Sequence, residues 1–434
     1  MDKMADVLGR AGAWCGQNKY LSAIKNAFQN FMPLTIAGAI GVLWCNVLVN
    51  ETTGLGMFFK PIMALDFLNP AFQAVNFCTI SCITVGITLG IAQEIGIWNM
   101  GAEKAGYIPG LVGLAAWLSV TNTSHMVDGA KEAFTGVAGN ELGATGLFTG
   151  MIIGVLSVEL FCFFEKQDAL KIKMPDQVPP GVARAFEVLV PATITLIITA
   201  CIGSACYNLT GLYLNDVIKN GIQGPLGAVG ATIPGVMIIY LVIMLFWLVG
   251  IHGNNMLSAV KEALFTPLAL ENVEAFNKHE TPKNIINMYA LQMWGEFGGS
   301  GVTIGLVIAI MIFGKREDNK AIATLSLVPG LFNINETVTF GIPMVLNPIL
   351  GIPFVVAPLV TIIIGYVLTV IGFCPVACLT VPWTTPPIVF GFLACGANVM
   401  GAVTQAILIV VSTVIYVPFL ISYEKYQNKQ AAEA

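Results

Sequence analysis

Charge is scarce in this chain. Of 434 residues, 10% are charged and 56% are hydrophobic. A soluble domain carries about 25% charge, so an ordinary soluble fold is excluded. Histidine is scarcer still, with three residues in all. Ten cysteines are present, mostly inside apolar segments, but no C-x-x-C pair occurs and no histidine lies near them in sequence. That spacing argues against a zinc site, and no metal or cofactor is expected. Cys78/Cys82 and Cys374/Cys378 are four apart and would stack on one helix face. No G-x-x-x-x-G-K-[ST] motif is present, which excludes a P-loop ATPase within the chain. No Arg-rich voltage-sensing helix is visible. The net charge of -5 gives no basic surface for nucleic acid. The first 26 residues show no short apolar core running into a cleavage site, so no signal peptide is expected.

What remains is apolar sequence in long runs. About 20 apolar residues cross a bilayer. Candidate crossings fall at 31–49, 71–92, 106–121, 145–164, 188–209, 228–250, 300–314, 354–373 and 398–422, with one more in the broken stretch 321–350. The expected fold is an all-α polytopic membrane protein. Residues 2–26 place Val7, Leu8, Ala11, Trp14 and Cys15 at helical spacing between polar residues, as in an amphipathic helix lying on the membrane surface.

Short loops rich in Lys and Arg mark the cytoplasmic side. Lys3, Arg10, Lys19 and Lys25 precede the first crossing, Lys166, Lys171, Lys173 and Arg184 fill the loop 165–187, and Lys425 and Lys429 lie in the tail. Both termini and that loop are expected to be cytoplasmic. The loop also divides the chain. Few odd features precede it. Glu94, Glu159 and the His125/Asp128 pair lie near span ends and read as interfacial or helix-packing residues. The expected organisation is a surface helix at 1–26, a transmembrane scaffold at 27–211, a transmembrane part with broken helices at 212–423 and a tail at 424–434.

Two regions resist reading as plain spans. Residues 251–299 begin with Ile251-His-Gly-Asn-Asn255, carry a charged patch, and end in Met293-Trp-Gly-Glu-Phe-Gly-Gly299. Residues 331–358 carry Pro343, Pro348, Pro353 and Pro358. Each proline removes a backbone hydrogen bond, so no continuous helix is expected there. Non-helical backbone at membrane depth is tolerated only where protein buries it or it lines a cavity, and broken helices point to a transporter's binding site.

Glu336 lies in that second region, between apolar runs and beside Asn333, Asn335 and Thr337. A charge at membrane depth is costly and marks a pathway or binding site. A loop carboxylate at the membrane surface is the competing reading. Four pieces are candidates to converge: Trp247 with His252 and Asn254; Trp294 with Glu296; Asn333, Asn335 and Glu336; and Trp383 in Pro382-Trp-Thr-Thr-Pro-Pro387. Aromatic faces stack on the C–H face of a sugar, and fixed polar groups read its hydroxyls.

Trp247-Leu-Val-Gly-Ile-His-Gly253 and Phe332-Asn-Ile-Asn-Glu-Thr-Val-Thr-Phe-Gly-Ile-Pro-Met-Val-Leu-Asn-Pro348 resemble two signatures of the Enzyme IIC membrane component of the phosphoenolpyruvate-dependent sugar phosphotransferase system. The resemblance spans essentially the whole chain and fits the lactose/cellobiose/diacetylchitobiose branch. Thr337 stands where many members have proline. The resemblance implies a homodimer in the bacterial inner membrane with about ten crossings and two re-entrant hairpins. It implies import of a sugar with phosphorylation of its 6-hydroxyl, the phosphoryl donor being a cysteine on a cognate Enzyme IIB. The chain would then be the membrane subunit of a protein-Npi-phosphohistidine–sugar phosphotransferase. A short polar tail follows residue 422, so Enzyme IIB is expected on a separate chain, which tilts the substrate toward cellobiose or diacetylchitobiose. Carried over by position, Glu336 and His252 contact the sugar and serve the chemistry, and Trp383 resembles a stacking aromatic. Trp247, Asn254, Glu296, Asn333 and Asn335 complete the candidate sugar contacts. The rival reading is an ion-coupled sugar transporter with Glu336 and His252 as a proton relay. A non-transporting receptor is a third and weaker one.

Overall fold

The computed structural model describes residues 10, 14, 17–51, 55–125, 134–175, 177–225, 230–342, 344, 345 and 347–433. These are nearly all helical. A two-residue antiparallel pair, Ser124–His125 with Phe134–Thr135, is the strand structure among them. Among the described residues, six helices are long and apolar enough to cross a membrane: Lys19–Leu48, Lys60–Met100, Ala144–Glu165, Pro180–Thr210, Gly351–Val370 and Val399–Gln430. A seventh candidate is bent, Met288–Val302 meeting Ile304–Phe313 at 60°. Two shorter apolar helices are Ile108–Val120 and Ile233–Leu248. Each of the nine apolar runs therefore holds a helix. Most of the proposed surface helix at 2–26 lies outside the described residues; within it, Trp14 is exposed and a helix begins at Lys19.

Helix ends follow local chemistry. Pro180 opens the helix Pro180–Thr210, where a missing N–H costs nothing because the first turn leaves it unbonded. Gly211 closes it with φ of 71°, donating its N–H to the Tyr207 carbonyl. Thr232 caps Ile233–Leu248 by accepting the Gly235 N–H.

Two compact units are present. One contains Gln17–Gly38 and Ala74–Gly227. Its helices meet through small residues: a Cβ on Gly113 would lie 2.3 Å from that of Ala92, and one on Gly150 would lie 2.2 Å from the Thr88 hydroxyl. Without a hydrophobic drive between helices in lipid, such close approach supplies the packing. Charges here pair between helices. Asn26 donates to Glu94, Lys19 pairs with Glu159, and buried Glu165 takes Lys104 at 2.8 Å and Arg184 at 3.0 Å. His125 lies near the Asn122 carbonyl; Asp128 lies outside the described residues.

The other unit contains Ala39–Gln73 and Ala228–Ala434. The charged stretch after His252 forms a helix, Gly253–Asn277. Residues 321–350 do not form one continuous helix. Glu317–Leu331 ends at Phe332, the short helix Glu336–Gly341 follows, and the next long helix starts at Gly351. The expected break over 331–358 is shorter than proline spacing suggests, because Pro353 and Pro358 both lie within Gly351–Val370. Pro353 sits in the first turn, where its missing N–H is tolerated. Near Pro358, the Thr361 hydroxyl donates to the carbonyls of Ala357 and Pro358 at 3.1 Å each. Pro343 lies outside the described residues. Neither cysteine pair stacks on a helix face. Thr79 breaks the helix between Cys78 and Cys82, and 374–378 is not helical.

The bend at 296–303 depends on three glycines with positive φ, Gly298, Gly299 and Gly301. A Cβ on Gly301 would lie 2.3 Å from the Phe354 ring. Gly301→Ala combines a left-handed backbone cost of about 1–2 kcal/mol with overpacking of about 1–3 kcal/mol. Its thermal unfolding midpoint in detergent should fall clearly below that of the parent protein. An unchanged midpoint would show that the bend does not need glycine there.

Candidate functional site

The helix Ile233–Leu248 stops where the chain turns at Gly250, whose φ is 81°. His252 then caps the next helix, its Nδ1 accepting the Asn255 N–H at 3.3 Å. With Nδ1 engaged as acceptor, a neutral imidazole carries its proton on Nε2. The Trp247 ring packs against the imidazole, centroids 4.4 Å apart, and Phe354 meets the indole edge-on. Gly253 cannot be replaced without movement, since a Cβ would lie 2.0 Å from the Ile243 carbonyl oxygen. The imidazole is thus held by a cap, an aromatic wall and a tight helix–helix approach.

Glu336 opens the short helix Glu336–Gly341. Its Oε1 lies 3.8 Å from His252 Nε2, and the two side chains are 48% and 38% exposed. That distance exceeds a direct hydrogen bond. Both groups keep an accessible face.

The amides beside Glu336 are directed to backbone. Asn335 donates to the Ser300 carbonyl at 2.7 Å and is buried. Asn333, at φ of 62°, accepts the Gly298 N–H at 2.6 Å. Its amide nitrogen donates to the carbonyls of Trp383 and Thr385. The segment carrying Glu336 is thereby tied to the bend at 296–303 and to the loop at 382–387. The Trp383 side chain is 45% exposed. Gln405, also buried, accepts the N–H groups of Ile388 and Gly391 and donates to the Met293 carbonyl.

Glu296 does not join Glu336. It accepts from the Tyr240 hydroxyl at 2.7 Å and forms an ion pair with Lys261, all three being largely buried. The Lys261 ammonium also sits 5.5 Å above the Tyr240 ring. Trp294 is buried against Gly365, where a Cβ would lie 2.4 Å from the indole. The indole N–H groups of Trp247 and Trp294 and the Asn254 side-chain oxygen are buried and have no partner among the described residues. Lys261, Tyr240 and Gln405 were not singled out from sequence. Lys261 sits in a run of charged residues that reads as a solvated patch, and nothing in the spacing pairs it with Glu296. Among the described residues no cluster of three or more His, Cys, Asp or Glu has metal-binding geometry. The open carboxylate–imidazole pair can accept a hydroxyl proton and donate a hydrogen bond, and the loop tied to this segment through the Trp383 carbonyl carries an exposed indole.

The family model described as phosphotransferase system, EIIC matches residues 25–358. The oligo-beta-mannoside-specific EIIC component of Bacillus subtilis (strain 168) is 32% identical over 429 residues, covering 98% of this chain and 94% of that protein. The cellobiose-specific EIIC component of Lactococcus lactis subsp. lactis (strain IL1403) is 29% identical, covering 98% of each. The crystal structure of the transporter ChbC, the IIC component from the N,N'-diacetylchitobiose-specific phosphotransferase system, matches with a TM-score of 0.88 at 29% identity over 97% of each chain.

The Lys261–Glu296 pair makes its own prediction. Removing one partner of a buried ion pair costs about 3–5 kcal/mol because the other charge is stranded, whereas an apolar or neutral replacement of both is often tolerated. Lys261→Met and Glu296→Gln should each lower the denaturation midpoint strongly, and the double variant should recover much of that loss. A double variant as unstable as the sum of the singles would show that the two side chains act independently.

Proposed function

Since the chain belongs to the EIIC family of the phosphotransferase system, we propose that it is the sugar permease of such a system, importing a β-linked disaccharide, cellobiose or diacetylchitobiose, with phosphorylation by a separate Enzyme IIB. One observation carries this reading. Glu336 and His252, from distant parts of the chain, lie 3.8 Å apart with open faces while the surrounding amides are engaged by backbone. In the reaction, Glu336 accepts the proton of the sugar 6-hydroxyl. The oxygen attacks phosphorus on the donor cysteine of Enzyme IIB, the S–P bond breaks, the O–P bond forms, and the thiolate leaves. His252 binds the same end of the sugar through Nε2–H. Trp383 stacks on a sugar ring. Trp247 holds the imidazole in place, and Asn333, Asn335, Asn254 and Glu296 shape the surrounding wall.

The assembly we propose is a homodimer in the bacterial inner membrane with about ten crossings, two re-entrant hairpins and cytoplasmic termini. The 60° bend after Met288–Val302 and the break between Gly341 and Gly351 support the hairpins. Residues 27–211 form the scaffold with the dimer contact, and 212–423 carry the sugar.

Vesicles containing the purified chain, with phosphorylated Enzyme IIB inside and disaccharide outside, should accumulate sugar 6-phosphate. Accumulation of free sugar under a proton gradient would instead identify an ion-coupled transporter. Glu336→Gln should reduce phosphorylation by about 10²–10⁴-fold, the range for loss of a general base. Wild-type uptake in that variant would move the site elsewhere. A cysteine at position 167, in a cysteine-free background, should resist an impermeant thiol reagent added to intact cells, since Lys-rich loops stay cytoplasmic. Labelling from outside would reverse the orientation.

A further inference from the structure

Asn333 touches two separate pieces of non-helical backbone, the bend at 296–303 and the loop at 382–387. Its side-chain oxygen accepts from Gly298 in the bend, and its amide nitrogen donates to the carbonyls of Trp383 and Thr385. An amide nitrogen has two hydrogens; both are engaged, so none remains for a sugar hydroxyl. Asn333 stands three residues before Glu336. The residues it joins to that segment, Trp383 and Thr385, are 50 and 52 positions away. The intervening chain includes the whole helix Gly351–Val370. The peptide chain therefore joins the Trp383 loop to the Glu336 segment only through a long path, while the Asn333 side chain joins their backbones directly.

We propose that Asn333 is a positioning residue that determines specificity: it fixes the separation of the Trp383 ring from the Glu336 carboxylate, and so selects which sugar hydroxyl is offered when a ring stacks on the indole. This rests on the reading of Trp383 and Glu336 as two ends of one sugar site. The residue type fits the task. Asparagine tolerates the positive φ better than other residues with a Cβ. Glutamine would add a methylene and displace the loop. Aspartate would set a carboxylate against two carbonyl oxygens.

The test is a double-mutant cycle in Enzyme IIB-dependent phosphorylation, read as KM and kcat with cellobiose and with diacetylchitobiose as probes. Asn333→Gly keeps the positive φ at little cost and removes the tether. Asn333→Gly and Trp383→Ala should each raise the disaccharide KM about tenfold, a change equal to roughly 1.4 kcal/mol, and the rise should fall on KM more than on kcat. The double variant should be no worse than Trp383→Ala alone, because without the ring its placement no longer matters. Additive losses, about hundredfold by the same conversion, or a wild-type KM in Asn333→Gly, would overturn the proposal and leave the sugar site standing. A wild-type KM in Trp383→Ala would overturn the sugar-site reading itself and the proposal with it. Asn333→Asp, which keeps the acceptor for Gly298 and loses both donors, runs the same cycle if the glycine variant fails to assemble by size exclusion.

Discussion

Every interruption of a helix in apolar surroundings leaves backbone N–H and C=O groups that need partners, at several kcal/mol for each one left bare. The unit containing Ala228–Ala434 interrupts its helices repeatedly, and buried polar side chains meet that demand. Asn287 caps Met288–Gly295 and donates to the carbonyls of Asn284 and Ala377. Asn272 reaches the same two carbonyls from another helix. Thr303 and Tyr416 take the carbonyls of Gly298 and Gly301, and Gln405 serves the start of Val389–Ala394. The irregular backbone is thereby fixed rather than loose. A site built on it has the rigidity that recognition needs.

The same constraint sorts the polar residues. Asn333 and Asn335 are engaged by backbone, and Glu296 by Lys261 and Tyr240. Glu336, His252 and the Trp383 ring keep exposed faces. Two carboxylates in one unit thus have opposite environments. One is closed inside an ion pair, where removing a partner strands a charge. The other is open beside an imidazole, where a hydroxyl can reach it. That contrast favours Glu336 over Glu296 as the group that meets substrate.

Much of this was legible in the residues. Long apolar runs show where helices fall, and Gly250, the glycines at 298–301 and the Asn-Ile-Asn-Glu segment mark the breaks. The rarity of charge draws attention to Glu336, and Gly-Ile-His-Gly to His252. Proline spacing overstated one break, because a proline that a helix tolerates looks the same in sequence as one that ends it: Pro353 sits in the first turn and Pro358 inside the same helix. Lys261 was hidden among charged neighbours, and its pairing with Glu296 is tertiary. An asparagine that serves backbone and one that serves a ligand have the same composition and the same neighbours. Only the hydrogen bonds of Asn333 and Asn335 tell them apart.

The most direct measurement is a density map of the protein with a β-linked disaccharide bound. A 6-hydroxyl oxygen should lie about 2.6–3.2 Å from the Glu336 carboxylate, the reach of a general base, with His252 within hydrogen-bond distance of the same ring. A disaccharide seated elsewhere, with no 6-hydroxyl within one water of Glu336, would contradict the assignment of this carboxylate to the chemistry.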